Sequence, residues 1–377
     1  MKPTRRSAAV LAAIVTATAG LLAGTAGAAS ATGAAGASGL ASFTGPLHQV
    51  TTVASTVPGN GDVNPYGVAV VPRSTGDLGQ GNVLVSNFND KANVQGTGTT
   101  IVQVTPHGQV SLFARINPRL AGCPGGVGLT TALTVLRSGW VIVGSLPAKN
   151  GSVSGSGCLI VLDQWGHVQE TFAGHGINGP WDMASLDLGH QAVLFVTNVL
   201  NGTVAAKGST VDRGTVLRLV LQVPANGRPW IQFNTTIGSG FAEQLNASAL
   251  VIGPTGVGLG PNGVLYVADT LANRVAGIPD AVFRGFSAGR GFTVSAGHHL
   301  NGELGLVVAP GGDILTVNGG NGNLVEITPA GAQIAVRTLD RSGSPPGAGA
   351  LFGLAVEPGH RAVYFVDDAT NTLDLLH

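Results

Sequence analysis

Six segments of this 377-residue chain repeat one β-type pattern at intervals near fifty residues, and nothing else in the sequence narrows the possible folds as far. The clearest unit, PTGVGLGPNGVLYVADTLANRVAGIP, runs from Pro254 to Pro279. It reads as a small Gly-rich strand over 257–259, an alternating strand over 264–268 and a third strand after Asn273-Arg274. Pro261-Asn262-Gly263 supplies the hairpin turn, with Gly taking the positive φ that other residues avoid. Related segments centre on Gly67, Ala132, Asp182, Gly305 and Gly353; with Gly256 included, the anchors stand 65, 50, 74, 49 and 48 residues apart. Units of three or four strands would leave exposed edges if they stood alone, and radial repetition protects them. The pattern therefore predicts an all-β chain folded as a six-bladed β-propeller. The last unit supplies strands near 352–356, 362–366 and 371–375 and then stops one short, so the alternating stretch 48–53 is expected to close the ring as an N-terminal strand.

Composition sets the class of protein that carries this repeat. Hydrophobic residues make up 44% and charged residues 10%, with 19 Lys and Arg against 19 Asp and Glu, a balance that excludes a chain disordered by charge. No basic cluster exists beyond Arg5-Arg6, so nucleic acid is excluded as a partner. Lys2, Arg5 and Arg6, the apolar run 8–22 and the small triplets 26–28 and 29–31 read as an export signal over 1–28, with cleavage as late as 31 the alternative. The apolar run falls short of the roughly 20 residues of a membrane span, so no stable span is expected. The motif around Arg5-Arg6 leaves Sec and twin-arginine export both open. Residues 29–43, nearly all Ala, Gly, Ser and Thr, are expected to form a flexible linker to a single propeller domain over 44–377. Cys123 and Cys158 are the only cysteines, an even pair that in an exported chain predicts a disulfide; two buried thiols are the alternative. A secreted or cell-envelope monomer follows.

The run Val267-Ala268-Asp269 followed by Asn273-Arg274-Val275 resembles the NHL-repeat signature, and residues 47–377 as a whole resemble NHL or SMP-30/gluconolactonase-like six-bladed propellers. The resemblance is specific at the fourth unit, fair at the first, fifth and sixth, and weak at the second and third. It implies the fold. Its members include lactonases, lyases and plain binding scaffolds, so function must come from the site.

In an antiparallel four-stranded blade, with strands a to d counted outward from the channel, the b-to-c and interblade connections emerge on one face. That face receives the long loops 88–99, 146–157 and 199–213 of the first three blades and the short turns of the last three, a raised rim able to wall a cleft. Surface insertions without a role are the competing reading. The polar residue ending each strand b, Asn87, Ser145, Asn198, Asp269, Asn318 or Asp367, is expected to hold its b-to-c turn rather than a ligand. His107, His167 and His360 fall in the opposite turns as surface residues.

SMP-30-like lactonases hold a divalent cation at the channel mouth on Glu, Asn and Asp, as the resemblance implies. The matching positions here are Tyr66, Thr131, Trp181, Thr255, Leu304 and Phe352, none a carboxylate or carboxamide. Asp182 and Glu303 lie one residue to either side, which keeps a displaced site open. No metal and no cofactor is expected. Tyr66, Trp181 and Phe352 would line an apolar mouth able to stack on a sugar ring or another flat group; core packing between blades is the alternative, strongest for Phe352. His175 and the His298-His299 pair sit in equivalent loops on this face, either turned toward the centre or in solvent. The ligand-binding set is thus Tyr66, Trp181, Asp182, His175, His298, His299, Glu303 and Phe352. No nucleophile motif is present. The reading is an exported scaffold that binds a small molecule or an extracellular macromolecule through its loop-rich face, with a lactone hydrolase or lyase as the alternative. A quinone-dependent sugar dehydrogenase is a third class without a supporting motif.

Overall fold

The computed structural model describes residues 42–377 apart from Asn150, Ser248 and His360. The predicted export signal and nearly all of the predicted linker lie outside these residues, as does His360. Six antiparallel sheets follow one another along the chain. Blade 1 consists of Val63–Val70, Val83–Asn89, Thr100–Val104 and Val110–Arg115, and blade 2 of Leu133–Val135, Val141–Ser145, Cys158–Leu162 and Val168–Phe172. Blade 3 holds Gly179–Asp187, Gln191–Val199, Val211–Gln222 and Trp230–Asn246, with Leu250–Ile252 paired to the C-terminal end of the fourth strand; blade 4 holds Pro254–Leu259, Leu265–Asp269, Arg274–Ile278 and Phe292–Ala296. Blade 5 runs Glu303–Val308, Ile314–Asn318, Asn323–Ile327 and Gln333–Thr338, and blade 6 is Leu351–Val356, Val363–Asp367, Thr372–Leu376 and Val50–Ser55. The irregular intervals have simple causes. The 74-residue step is the long third and fourth strands of blade 3, and the 65-residue step includes the loop 116–132 that carries Cys123.

The period-two alternation of each strand decides which neighbour a side chain meets. In blade 2, Val141, Val143, Cys158 and Ile160 pack toward blade 1, while Ile142, Leu159 and Val161 pack toward blade 3. Repeated round the ring, this makes one hydrophobic core between each pair of adjacent blades, with a seventh at one end of the axis. Innermost strands of successive blades touch all the way round, so the ring is closed. Their register slips at the anchor position, between Pro65 and Val68, Pro180 and Met183, Pro254 and Val257, Glu303 and Leu306, and Leu351 and Leu354. The anchor glycines stand where the next blade's backbone arrives: a Cβ on Gly256, Gly305 or Gly353 would overlap the carbonyl of Leu304, Phe352 or Tyr66. Close approach at the axis is the physical reason for the repeating glycine.

Closure uses the predicted N-terminal strand, shifted by two residues. Val50 pairs with Leu376 and Ser55 with Thr372, and the amides of His48 and Gln49 both donate to the His377 carbonyl. The linker's last two residues depart from expectation. The Ser42 hydroxyl, the Phe43 and Thr44 amides and the Thr44 hydroxyl all donate to the Glu326 carboxylate of blade 5 at 2.5–2.8 Å, and the Arg337 guanidinium donates to the carbonyls of Thr44, Gly45 and Leu47. Burial alone would raise the Glu326 carboxyl, but these donors outweigh it and hold it below its ordinary value. Phe43 adds its ring to the core between blades 5 and 6.

Cys123 and Cys158 form the expected disulfide, with Cα atoms 5.3 Å apart, tying the first interblade loop to the third strand of blade 2. Peptide mapping without reductant should recover the linked pair. Reduction is expected to cost roughly 4 kcal/mol, because the bridge closes a loop of 35 residues in the unfolded chain. Two freely alkylated thiols in protein isolated without reductant would contradict the pairing.

Candidate functional site

The long loops share the face on which the innermost strands begin. Loops 90–99 and 146–157 lean on one another, since a side chain at Gly96 would strike Ala148 and one at Gly151 would meet Val94. The second loop folds back as a short hairpin, Ala148–Lys149 with Ser152–Val153, and the Ser154 hydroxyl donates to the Gly125 carbonyl. Together they form a continuous wall over blades 1 and 2.

Below the wall, the aromatic trio closes the axis. Trp181 Nε1 donates to the Tyr66 hydroxyl at 2.8 Å, with the two rings edge to face at 6.0 Å. Phe352 lies 5.2 Å from Tyr66 and 6.2 Å from Phe88, and Leu129, Leu146, Leu250, Ile252 and Leu304 fill the gaps. Tyr66 and Trp181 are each only 1% exposed, while Phe352 is half-buried. The trio thus forms a packed plug, the core-packing alternative rather than an open apolar mouth, although Phe352, for which packing was the stronger expectation, is the least buried of the three. Phe88, at the end of strand b, is the member that sequence reading missed. In the strand's alternation it shares a face with Leu84 and Ser86, which carries no sign of reaching the axis.

Beneath the plug lies a channel of about 360 Å³ lined by the innermost strands of all six blades. It runs to the opposite face, where Val70, Ser185, Val308 and Val356 are half-exposed. Asp182 projects into it as the one carboxylate of the lining. Its carboxyl accepts from the Met183 amide at 2.7 Å and from the Val257 amide of blade 4, so the residue that replaces the anchor glycine ties two blades together. Burial outweighs both donors and pushes the Asp182 carboxyl up to about 8. Burial, with the Asp182 charge added, also raises the Tyr66 phenol well above its ordinary value. A raised carboxyl stabilises the fold at low pH and loses that contribution as the pH climbs toward the folded value. Asp182→Asn, which keeps the acceptor oxygen, is therefore expected to gain stability over wild type progressively from about pH 4 to 8 and then level off. Parallel melting curves at pH 5 and 9 for the two proteins would contradict this.

The remaining predicted site residues are scattered. Glu303 is fully buried away from the channel lining, accepts from the Arg274 amide at 2.6 Å, and is pushed up to about 8 chiefly by burial. The b-to-c turn of blade 4 rests on it. His175 faces the outermost strand of blade 3, with Nδ1 3.4 Å from Asn234 Oδ1. The His299 amide donates to Gln333 on the outermost strand of blade 5, and both His298 and His299 are exposed. These histidines sit on the outer rim, and the structure does not bring them to Tyr66, Trp181 or Asp182. The residues ending strand b are structural, though only Asp367 works mainly on its own b-to-c turn. Asn198 takes the Asn178 and Gly179 amides and Asn318 takes the Asn301 amide and donates to the His299 carbonyl, so these side chains hold the incoming interblade loop. Asp269 pairs with Arg274 at 2.7 Å and Arg290 at 3.2 Å.

A divalent cation at the mouth does not fit these residues. The Tyr66 hydroxyl is taken by Trp181, the Thr255 hydroxyl is bonded to Thr270 and to backbone carbonyls, and Trp181, Leu304 and Phe352 offer no side-chain oxygen. The buried, unpartnered Thr131 hydroxyl is a single neutral oxygen where a hard cation needs about six or more. Among the described residues, no three His, Cys, Asp or Glu are grouped to hold a metal ion.

No protein-family model matches this sequence, and no curated protein matches it. Solved structures do. A gluconolactonase from Xanthomonas campestris aligns with a TM-score of 0.53 at 11% identity, covering 86% of this chain and 88% of that one. A putative gluconolactonase aligns at 0.52 and 15% identity over 87% and 91%, and a putative oxidoreductase (glucose dehydrogenase) from a Thermus species at 0.51 and 16% identity over 87% and 98%. At such identities the likeness is one of fold: this chain is a six-bladed β-propeller with the architecture seen in gluconolactonase-like proteins.

Proposed function

We propose that this protein is an exported scaffold that binds a small molecule or an extracellular macromolecule through its loop-rich face. The observation that carries the reading is the plug. With Tyr66 and Trp181 buried across the axis, the face offers a closed floor beneath the raised loops of blades 1 to 3, a shape suited to holding a partner. The disulfide favours an oxidising compartment, and no helix among the described residues is long and apolar enough to cross a membrane. The test replaces residues 90–97 with a two-residue turn and compares both proteins on arrays of extracellular glycans, metabolites and secreted proteins. Wild type should bind a ligand that the variant loses at unchanged melting temperature; ligands held equally by both would contradict the reading.

One observation favours the hydrolase or lyase alternative. Asp182 is a carboxyl held protonated near neutral pH in a channel, the condition of a general acid, and gluconolactonases share the fold. It stands without a second carboxylate or histidine in the lining, so the scaffold reading is preferred.

A further inference from the structure

A groove of about 850 Å³ lies on the face opposite the long loops, formed by the turns of blades 1, 2 and 3. Three arginines line it, Arg73 from blade 1, Arg137 from blade 2 and Arg228 from blade 3, with Trp140 and Trp165 from the two turns of blade 2 and Asn226 from blade 3. We propose that this groove is a second binding site, which takes a short acidic oligosaccharide built from uronic-acid sugars.

The groove is built before any ligand arrives. Asp163 Oδ1 accepts the amides of Trp165 and His167, and Oδ2 accepts Gln169 Nε2 at 2.7 Å, which fixes the turn that presents Trp165. Trp165 nevertheless stands 50% exposed, a large indole held out in solvent by a rigid turn. Trp140 packs one side against the core between blades 2 and 3 and keeps the rest in the groove. Arg137 is fixed by Asp187, which takes its backbone amide at 2.6 Å and pairs with its guanidinium. Arg73 and Arg228 are exposed and have no ion pair among the described residues. Asp163, the one carboxylate of the lining, has its oxygens turned into its own loop. The groove therefore presents a positive surplus.

The arrangement selects the ligand's chemistry. Guanidinium groups on three successive blades match carboxylates distributed along a chain rather than one point anion. Indole faces between them suit the apolar faces of sugar rings. Most of the lining is turn; Gln169 is the lining residue that belongs to an edge strand, Val168–Phe172, and its side chain is committed to Asp163, so an extended acidic peptide is the competitor that hexaglutamate represents.

The test titrates the purified protein with a galacturonate tetramer, its methyl-esterified form, a hyaluronan tetrasaccharide and hexaglutamate, following tryptophan fluorescence and heat at low and moderate salt. At least one of the two acidic saccharides should bind, and more weakly as salt rises. If galacturonate is the one that binds, esterification should weaken it about tenfold or more. Trp165→Ala and the double variant Arg73→Ala/Arg228→Ala should each lose about tenfold in affinity at unchanged melting temperature, since all three side chains are exposed. Replacing residues 90–97 on the other face should leave this binding intact, which separates it from the loop-rich surface. Failure of both acidic saccharides to bind, equal binding of the ester, full affinity in the variants, or tighter binding of hexaglutamate would overturn the proposal.

Discussion

Deleting residues 44–54 is expected to destabilise the protein by on the order of 5 kcal/mol or more, whereas deleting 29–41 should leave the unfolding transition in place. The first deletion removes buried Leu47 and the strand whose register runs from Val50–Leu376 to Ser55–Thr372, so the third strand of blade 6 becomes a bare edge. It also removes both Thr44 donors from Glu326, a fully buried carboxylate. A buried acceptor that loses its partners costs more than the hydrogen bonds themselves contribute. The Glu326 contribution is present above the ordinary glutamate range and fades as the pH falls, so wild type should lose part of its advantage over the truncated chain in acid. Denaturant unfolding of both truncations checks the result, and coincident transitions would mean that the N-terminal strand does not close the ring.

The second large effect is expected at Trp181. Trp181→Ala should cost about 3–5 kcal/mol, the range for emptying a buried aromatic site, because the indole is 1% exposed and its neighbours are held by their own blades. The loss includes the donor to the Tyr66 hydroxyl, so Trp181→Phe, which keeps most of the volume, should cost about 1 kcal/mol for the hydrogen bond plus a smaller cavity term. A Trp181→Ala protein of wild-type stability that had lost affinity for a ligand would instead place Trp181 in an open mouth.

Much of this architecture was legible in the sequence, and the reasons are local. Gly256, Gly305 and Gly353 recur because neighbouring backbones leave no room for a Cβ at the axis, and alternating Val, Leu and Ile mark strands packed on both faces. The disulfide was legible because the chain has two cysteines, an even pair, behind an N-terminal run that reads as an export signal. The site was harder to read. Tyr66, Trp181 and Phe352 were found as positions, but whether three aromatics line an opening or fill it depends on Phe88, Leu146 and Leu250, which come from other strands and loops at unrelated spacings. His175 and His298 each precede a strand a, yet each takes a positive φ, 52° and 53°, and their loops run by the outer strands of the next blades. Ser42 and Phe43 were hidden by composition, since nothing in an Ala/Gly/Ser tract shows that a buried glutamate 283 residues away needs donors.

The claim that the loop-rich end of the axis is a sealed floor and not a metal-dependent catalytic mouth is best tested by native mass spectrometry of the purified protein before and after chelation, with lactone turnover measured on the same samples. A folded mass equal to the polypeptide alone, unchanged by chelator and without lactone hydrolysis, is the predicted result. A stoichiometric divalent ion, with hydrolysis that stops when chelator is added and returns with the metal, would contradict it and make this propeller a lactonase.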